Sequence, residues 1–221
     1  MTGTRDGAPV TPGSAPKPAR RAPWADLAWV AGGLALLVLA GLPAHTGDVP
    51  WLEERAFRLV NDTVTLPFVA VWTVMQLGNF VVIPVAAVVA AAFRRFWLAA
   101  GLLVGGLVTY ELARIVKQIV LRGRPGALLP DVNLRHSPTT GLGYVSGHAA
   151  VVTFIATVLW PHLPTWARWT IGVVATLVSL SRVYVGAHLP LDIIGGAALG
   201  LAVGAAVRLA LRLTPARGQR T

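Results

Sequence analysis

The 221-residue sequence contains no cysteine and little charge: Asp, Glu, Lys and Arg together make up 13% of it. Without thiols, a disulfide framework and a thiolate metal site are both excluded. Soluble domains carry about 25% charged residues. Half that share, beside 55% hydrophobic residues and a mean hydropathy of +0.64, excludes an ordinary water-soluble domain and points to the bilayer as solvent. Acidic residues are the scarcest, nine against 19 Lys and Arg, for a net charge of +10. A basic balance of that size can signal nucleic-acid binding. Here, however, the basic residues stand at the ends of apolar runs and not on a polar domain, so no nucleic-acid partner is expected.

What the sequence does have is apolar length. Apolar stretches cover residues 24–42, 66–93, 96–120, 148–163, 169–187 and 190–211. A helix needs roughly 20 residues to cross the hydrocarbon core. The fourth and fifth stretches fall short of that and cross only if their polar ends lie at the interface or inside the bundle. Gly78, Asn79 and Pro84 predict a kink in the second span. The stretch PWLEERAFRLVNDT, 50–63, has apolar residues at helical spacing and reads as an interfacial helix. The expected fold is therefore all-α, an integral membrane six-helix bundle over 24–213. A disordered basic tail rich in Pro, Gly and Ala precedes it at 1–23, and a short tail follows at 214–221. The first apolar run is long for the core of a signal peptide, so it is expected to remain as a span.

Lys and Arg set the expected orientation. Arg5, Lys17, Arg20 and Arg21, the Arg94–Arg95 turn, Arg168, and Arg208, Arg212, Arg217 and Arg220 fall on one side of a six-span arrangement. The positive-inside rule makes that side the cytoplasm, with both termini in it. The other side still carries many basic residues, Arg114, Lys117, Arg122, Arg124, Arg135 and Arg182 among them. That is more than a passive outer face needs, and it suggests chemistry.

Three polar blocks stand at span ends. KQIVLRGRP, 117–125, closes the third span, and Gly123 and Pro125 are expected to end the helix so that Arg124 curls back beside Lys117. VSGH, 145–148, opens the fourth span, where the backbone N–H groups of Ser146 and Gly147 offer an anion site. SRVYVGAHLPLD, 181–192, carries Arg182 at the end of the fifth span and places His188 and Asp192 at i, i+4 at the start of the sixth. The carboxylate can accept one ring N–H and leave the other nitrogen free as a nucleophile. In the six-span arrangement all three blocks meet at one membrane face. Glu111 is expected to pair with Arg114, Gln76 and Asn79 to bond between helices, and His136 to be a loop residue that could touch a headgroup. Gly196, Gly200 and Gly204 are expected to allow close helix packing.

K-x6-R-P, S-G-H and S-R-x5-H-x3-D, in this order over 117–192, resemble the three signature blocks of the type 2 phosphatidic acid phosphatase family. That family shares its core with bacterial acid phosphatases and vanadium haloperoxidases. Val145 departs from the pattern, which usually has proline before Ser-Gly-His. The resemblance implies a membrane phosphatase acting on phosphatidic acid, phosphatidylglycerol phosphate or a polyprenyl diphosphate. It implies His188 as nucleophile forming a phosphohistidine, Asp192 fixing its tautomer, and His148 as general acid and base. Lys117, Arg124, Ser146, Gly147 and Arg182 are implied as the phosphate-binding set. No metal and no cofactor are implied: the chain has no carboxylate cluster, and three cations can take the role of a divalent ion. The expected partners are a lipid phosphate and the bilayer, and the expected place is a bacterial plasma membrane with the site on the extracytoplasmic face. Phosphotransfer to an acceptor other than water, and non-catalytic anion binding, are the alternatives.

Overall fold

The computed structural model describes residues 23–213. The expected N-terminal tail up to residue 22 and the tail from 214 lie outside the described residues. Within them the chain is helical, with one isolated bridge between Gly123 and Leu142 and no strand. The helices are α1 (Pro23–His45), α2 (Trp51–Asn61), α3 (Phe68–Gln76), α4 (Val82–Ala92), α5 (Phe96–Val120), the single turn α6 (Pro125–Leu128), α7 (Gly147–Leu159), α8 (Thr165–Tyr184) and α9 (Pro190–Leu213). Three of them, α1, α5 and α9, are each long and apolar enough to cross a bilayer. The six expected stretches correspond to α1, α3 with α4, α5, α7, α8 and α9.

The second stretch is broken rather than kinked. Asn79 donates to Gln76 Oε1 at 3.2 Å and accepts the Val81 N–H at 3.2 Å, so these two polar residues bond to each other within the turn and not between helices. Gly78 sits there because the turn presses against α7 and α8: a Cβ would lie 2.6 Å from Val178 of α8 and 3.0 Å from His148 of α7.

α9 is the central helix, packed by α1 on one side and α7 on another. The glycine stripe makes this approach possible. A Cβ at Gly200 would lie 2.2 Å from the Ala150 carbonyl, and one at Gly204 would lie 2.7 Å from Thr157. The stripe is thus buried inside the bundle, as small-residue stripes in membrane helices commonly are. Ile83, Leu102, Phe154 and Val158 fill the core between α4, α5 and α7.

Two polar contacts mark the ends of the bundle. At one end Asp26 of α1 takes Arg208 and, at 3.0 Å, Arg212 of α9. At the other, His45 Nδ1 is 3.2 Å from the Val120 carbonyl that closes α5. α1 therefore runs antiparallel to α9 and parallel to α5, and the three polar blocks share the His45 end. Large apolar side chains cover the outside, among them Leu39 at 63% exposure and Val104 at 61%. Trp24, Trp97, Trp166 and Trp169 are exposed at the Asp26 end and Trp51 at the other. Apolar flanks between tryptophan belts are the surface of a membrane protein.

The stripe yields a sign test. Gly32→Ala meets nothing within 4 Å and should hold or raise the thermal midpoint in detergent, since alanine favours helix by about 1 kcal/mol. Gly200→Ala should lower it, since overpacking costs about 1–3 kcal/mol. Equal midpoints for the two variants would contradict the close α7–α9 approach.

Candidate active site

The site is built from four chain segments at the His45 end. α5 stops at Val120, where Leu121 turns left-handed (φ 55°) and returns its N–H to the Lys117 carbonyl. The stop comes two residues earlier than the Gly123–Pro125 expectation. Residues 122–124 are consequently extended and lie beside 142–143, with Gly143 N–H donating to the Arg122 carbonyl at 2.7 Å. Pro125 then opens α6, as proline favours a first helical position, and Arg124 reaches across to the Ala187 carbonyl at 3.3 Å.

His188 and Asp192 come together, but not on one helix face. His188 lies in the turn before α9, which begins at Pro190. Asp192, in the first turn, accepts the Leu189 N–H at 2.9 Å and lies 3.4 Å from His188 Nδ1 through the same oxygen. The carboxylate thus caps its own helix and faces the ring. This leaves Nε2 as the nitrogen available for chemistry. Burial first, then the charges of Lys117, Arg182 and Arg124, hold the His188 imidazole well below its ordinary pKa.

The other expected residues surround this pair. Arg182 is in the last turn of α8 and donates to Met75 Sδ at 2.6 Å, while its buried Nε has no partner. Arg124 Nε and Ser146 Oγ are likewise buried and unpartnered. Ser146 caps α7, but its N–H is used, donating to the Asp192 carbonyl at 2.8 Å. Of the two expected backbone donors, the Gly147 N–H therefore remains, and a Cβ on Gly147 would meet nothing within 4 Å. His148 follows in the first turn of α7, within electrostatic reach of Arg182 and His188. Lys117 is more occupied than expected: Nζ donates to the carbonyls of Leu142, Gly143 and Val145 at 3.3, 3.0 and 2.6 Å. It clamps the loop before Ser146, the same loop in which valine replaces the family's proline. Glu111 pairs with Arg114 at 3.1 Å, as expected.

Two residues of the site were not anticipated. Arg122 is wholly buried; it holds Glu53 of α2 in a fork of 2.9 and 2.6 Å and reaches Asp192 Oδ1 at 3.3 Å. Glu53 also accepts the Leu191 N–H at 2.8 Å. Glu53, Phe57 and Asn61 are the buried stripe of α2, while Trp51, Leu52 and Leu59 face outward. The apolar side of this amphipathic helix is for lipid, and its inner side is for the site. Asn61 extends the same stripe by accepting the Asn133 N–H at 3.0 Å and donating to the Tyr184 carbonyl at 3.0 Å. The available signal was spacing: an acid four residues before a phenylalanine that packs inward needs a buried cation.

The charges sum simply. Lys117, Arg122, Arg124 and Arg182 against Glu53 and Asp192 give four minus two, a formal excess of two positive charges. A phosphate group near neutral pH carries close to two negative charges. The depressed His188 pKa makes a direct prediction. In ¹⁵N spectra of the imidazoles, assigned by loss of a signal in His188→Ala, His188 should protonate only well below the ordinary imidazole value of 6.5. A midpoint at or above 6.5 would contradict the electrostatic description.

The comparisons with known proteins agree on one family. The PAP2 superfamily model matches residues 94–214. The chain is 33% identical over 147 residues to an undecaprenyl-diphosphatase of Sulfolobus acidocaldarius, covering 65% of this chain and 71% of that one. It is 31% identical over 136 residues to a decaprenylphosphoryl-5-phosphoribose phosphatase of Mycobacterium tuberculosis, covering 62% and 69%. Among solved structures, Aquifex aeolicus LpxE aligns with a TM-score of 0.61 and 27% identity over 72% of this chain and 96% of that one. A transmembrane PAP2-type phosphatidylglycerolphosphate phosphatase of Bacillus subtilis aligns at 0.64 over 84% and 99%, and at 24% identity it speaks to the fold alone. With more than half the chain matched and the fold in common, this protein belongs to the PAP2 superfamily.

Proposed function

We propose that the protein is a lipid phosphate phosphatase that hydrolyses phosphate monoester or diphosphate groups through a phosphohistidine on His188. The observation that carries this reading is the His188–Asp192 pair, 3.4 Å apart and buried beneath Lys117, Arg124 and Arg182. An anion site needs cations, but it has no use for an imidazole oriented by a carboxylate. Family membership and relatives whose names are those of polyprenyl and phospholipid phosphatases support the same reading.

In this mechanism Asp192 keeps the proton on Nδ1 and stabilises the imidazolium as Nε2 attacks phosphorus. His148 protonates the departing oxygen and then removes a proton from the water that cleaves the N–P bond, which is help of a kind worth about 10²–10⁴-fold. Arg124 and Arg182 have buried N–H groups without partners, and these, with Ser146 Oγ and the Gly147 N–H, would take the phosphoryl oxygens as charge shifts in the transition state. Lys117 acts by its charge and by holding the 142–145 loop. No divalent ion has a step in this scheme. Among the described residues, no three His, Asp or Glu side chains are grouped to hold one.

We further infer that the site opens on the extracytoplasmic face of a bacterial plasma membrane, where a lipid phosphate reaches it by lateral diffusion. Purified protein in detergent should release phosphate from one or more of phosphatidic acid, phosphatidylglycerol phosphate and a polyprenyl diphosphate, and should do so in excess chelator. Asp192→Asn should lower kcat about hundredfold or more through the wrong tautomer. Phosphate release that vanishes with chelator and returns with a divalent metal would overturn metal independence; no release from any of the three lipids would overturn the activity. In intact cells a membrane-impermeant maleimide should label Thr140→Cys and spare Thr165→Cys, both exposed positions at opposite ends of the bundle. The reverse pattern would move the site to the cytoplasm.

A further inference from the structure

Sulfur is almost absent from this chain: there is no cysteine, and the two methionines are Met1 and Met75. Met75 stands in the last turn of α3, partly exposed, and packs with Val71, Tyr184 and Val185. Its Sδ accepts a hydrogen bond from Arg182 Nη1. That contact reaches the reaction centre, because Arg182 acts electrostatically on both His188 and His148. Met75 and Arg182 also line one cavity of about 300 Å³, against roughly 30 Å³ for a water molecule. A small solute can therefore come up to the sulfur.

The kind of acceptor matters here. A thioether is uncharged and accepts weakly, so it gives the guanidinium a fixed place without neutralising it. Arg182 Nε has no partner, and the charge is left for a phosphoryl oxygen. One added oxygen changes this, because a sulfoxide is polar and its oxygen is a strong acceptor. That oxygen projects from the same sulfur that Arg182 already meets, and it competes for the N–H groups a phosphoryl oxygen needs. Being part of the chain, it competes at a high effective concentration. The backbone gives it little room to withdraw: the Met75 carbonyl accepts the Gly78 N–H at 3.0 Å, and Gly78 is pressed against α7 and α8.

We propose that Met75 is an oxidation site through which peroxide switches the phosphate site off. This rests on the reading of Arg182 as a phosphoryl ligand given above. A lone pair on Sδ attacks one oxygen of hydrogen peroxide. The S–O bond forms as the O–O bond breaks, and the departing oxygen leaves as water with both protons. The sulfur gives up two electrons and the peroxide takes them, so no further reactant is needed. No thiol of the chain competes for the oxidant. Arg182 then donates to the sulfoxide oxygen in place of the phosphoryl group. His188, Asp192 and His148 are unchanged, and the site loses affinity for its substrate. Reduction of the sulfoxide by a methionine sulfoxide reductase reverses the change.

The test treats the full chain in detergent with hydrogen peroxide, removes the peroxide, and maps the peptides by mass, which tells Met75 from Met1. Phosphate affinity is read from the phosphate concentration that half-saturates the rise in thermal midpoint, a measure that needs no turnover. Conversion of Met75 should weaken phosphate binding about ten- to hundredfold, the loss of one charge-assisted hydrogen bond. It should lower kcat/KM in step on whichever of the three lipids is hydrolysed. The Met75→Leu protein, whatever its own affinity, should give the same value before and after peroxide. Full conversion of Met75 with unchanged phosphate affinity would overturn the proposal. So would an equal loss in Met75→Leu, or a Met75 still in the thioether form where Met1 is oxidised. Should Met75→Leu fail to fold, the time course in the wild-type protein decides: the loss should follow the sulfoxide of Met75 and not that of Met1. The expected loss of phosphate affinity in a protein that turns over no lipid, even untreated, would overturn the phosphatase reading and support the oxidation site. Untreated protein that phosphate does not stabilise would overturn the reading of Arg182 and this inference with it.

Discussion

Arg122 heads the wholly buried side chains by size among the described residues, and its charge joins three parts of the site: its own segment, α2 through Glu53 and the start of α9 through Asp192. A guanidinium taken out of solvent costs several kcal/mol unless its partners are well placed. Glu53 supplies a two-bonded fork and Asp192 a third contact. The arrangement constrains everything near it. Glu53 must come from the inner face of α2, so the interfacial helix cannot drift along the bilayer. Asp192 must stand at the start of α9, where it also receives the Leu189 N–H and faces His188. The Arg122 carbonyl takes the Gly143 N–H, which brings the loop before Ser146 into line, and Lys117 closes that loop from the other side. The orientation of the His188 ring is thus the last link of a buried ionic chain that starts on a surface helix.

The same chain explains how a strongly cationic site can exist at the edge of a membrane. Lys117, Arg124 and Arg182 would repel one another if left alone at low dielectric. Two carboxylates offset part of that charge from behind, on the side of Arg122, and the excess faces the front, where His188, His148 and the Gly147 N–H are. The excess is of the size that a phosphate group can neutralise. The site is therefore incomplete in charge without its ligand, and that favours binding of a phosphate dianion over neutral headgroups. The membrane location follows from the outer surface: the apolar flanks of α1, α4 and α5 keep the chain in the bilayer, and the site sits at the end of the bundle where a headgroup would be.

Much of this was legible in the sequence because it rests on residue type at fixed spacing. The three polar blocks stood at apolar-run ends, and six-span counting put them at one end of the bundle. The structure brings Lys117, Arg124, Ser146, Gly147, His148, Arg182, His188 and Asp192 to that end. What was not legible depended on contacts distant in sequence. Arg122 and Arg124 are two residues apart in one block, and only the left-handed Leu121 and the extended 122–124 segment send one inward to Glu53 and the other across to Ala187. Lys117 read as a free cation because its partners are backbone carbonyls, which no residue pattern marks. The break between α3 and α4 was legible only as a kink, since it depends on how closely Gly78 must approach His148.

The central claim is that His188 carries the phosphoryl group. It is tested most directly by rapid mixing of the purified protein with a ³²P-labelled lipid phosphate, quenching in alkaline detergent, and mapping the label on the chain. The account predicts a label that survives base, is lost in acid, maps to the peptide containing His188, and is absent from His188→Ala. A label stable to acid, a label on a peptide without His188, or undiminished labelling and turnover in His188→Ala would contradict it.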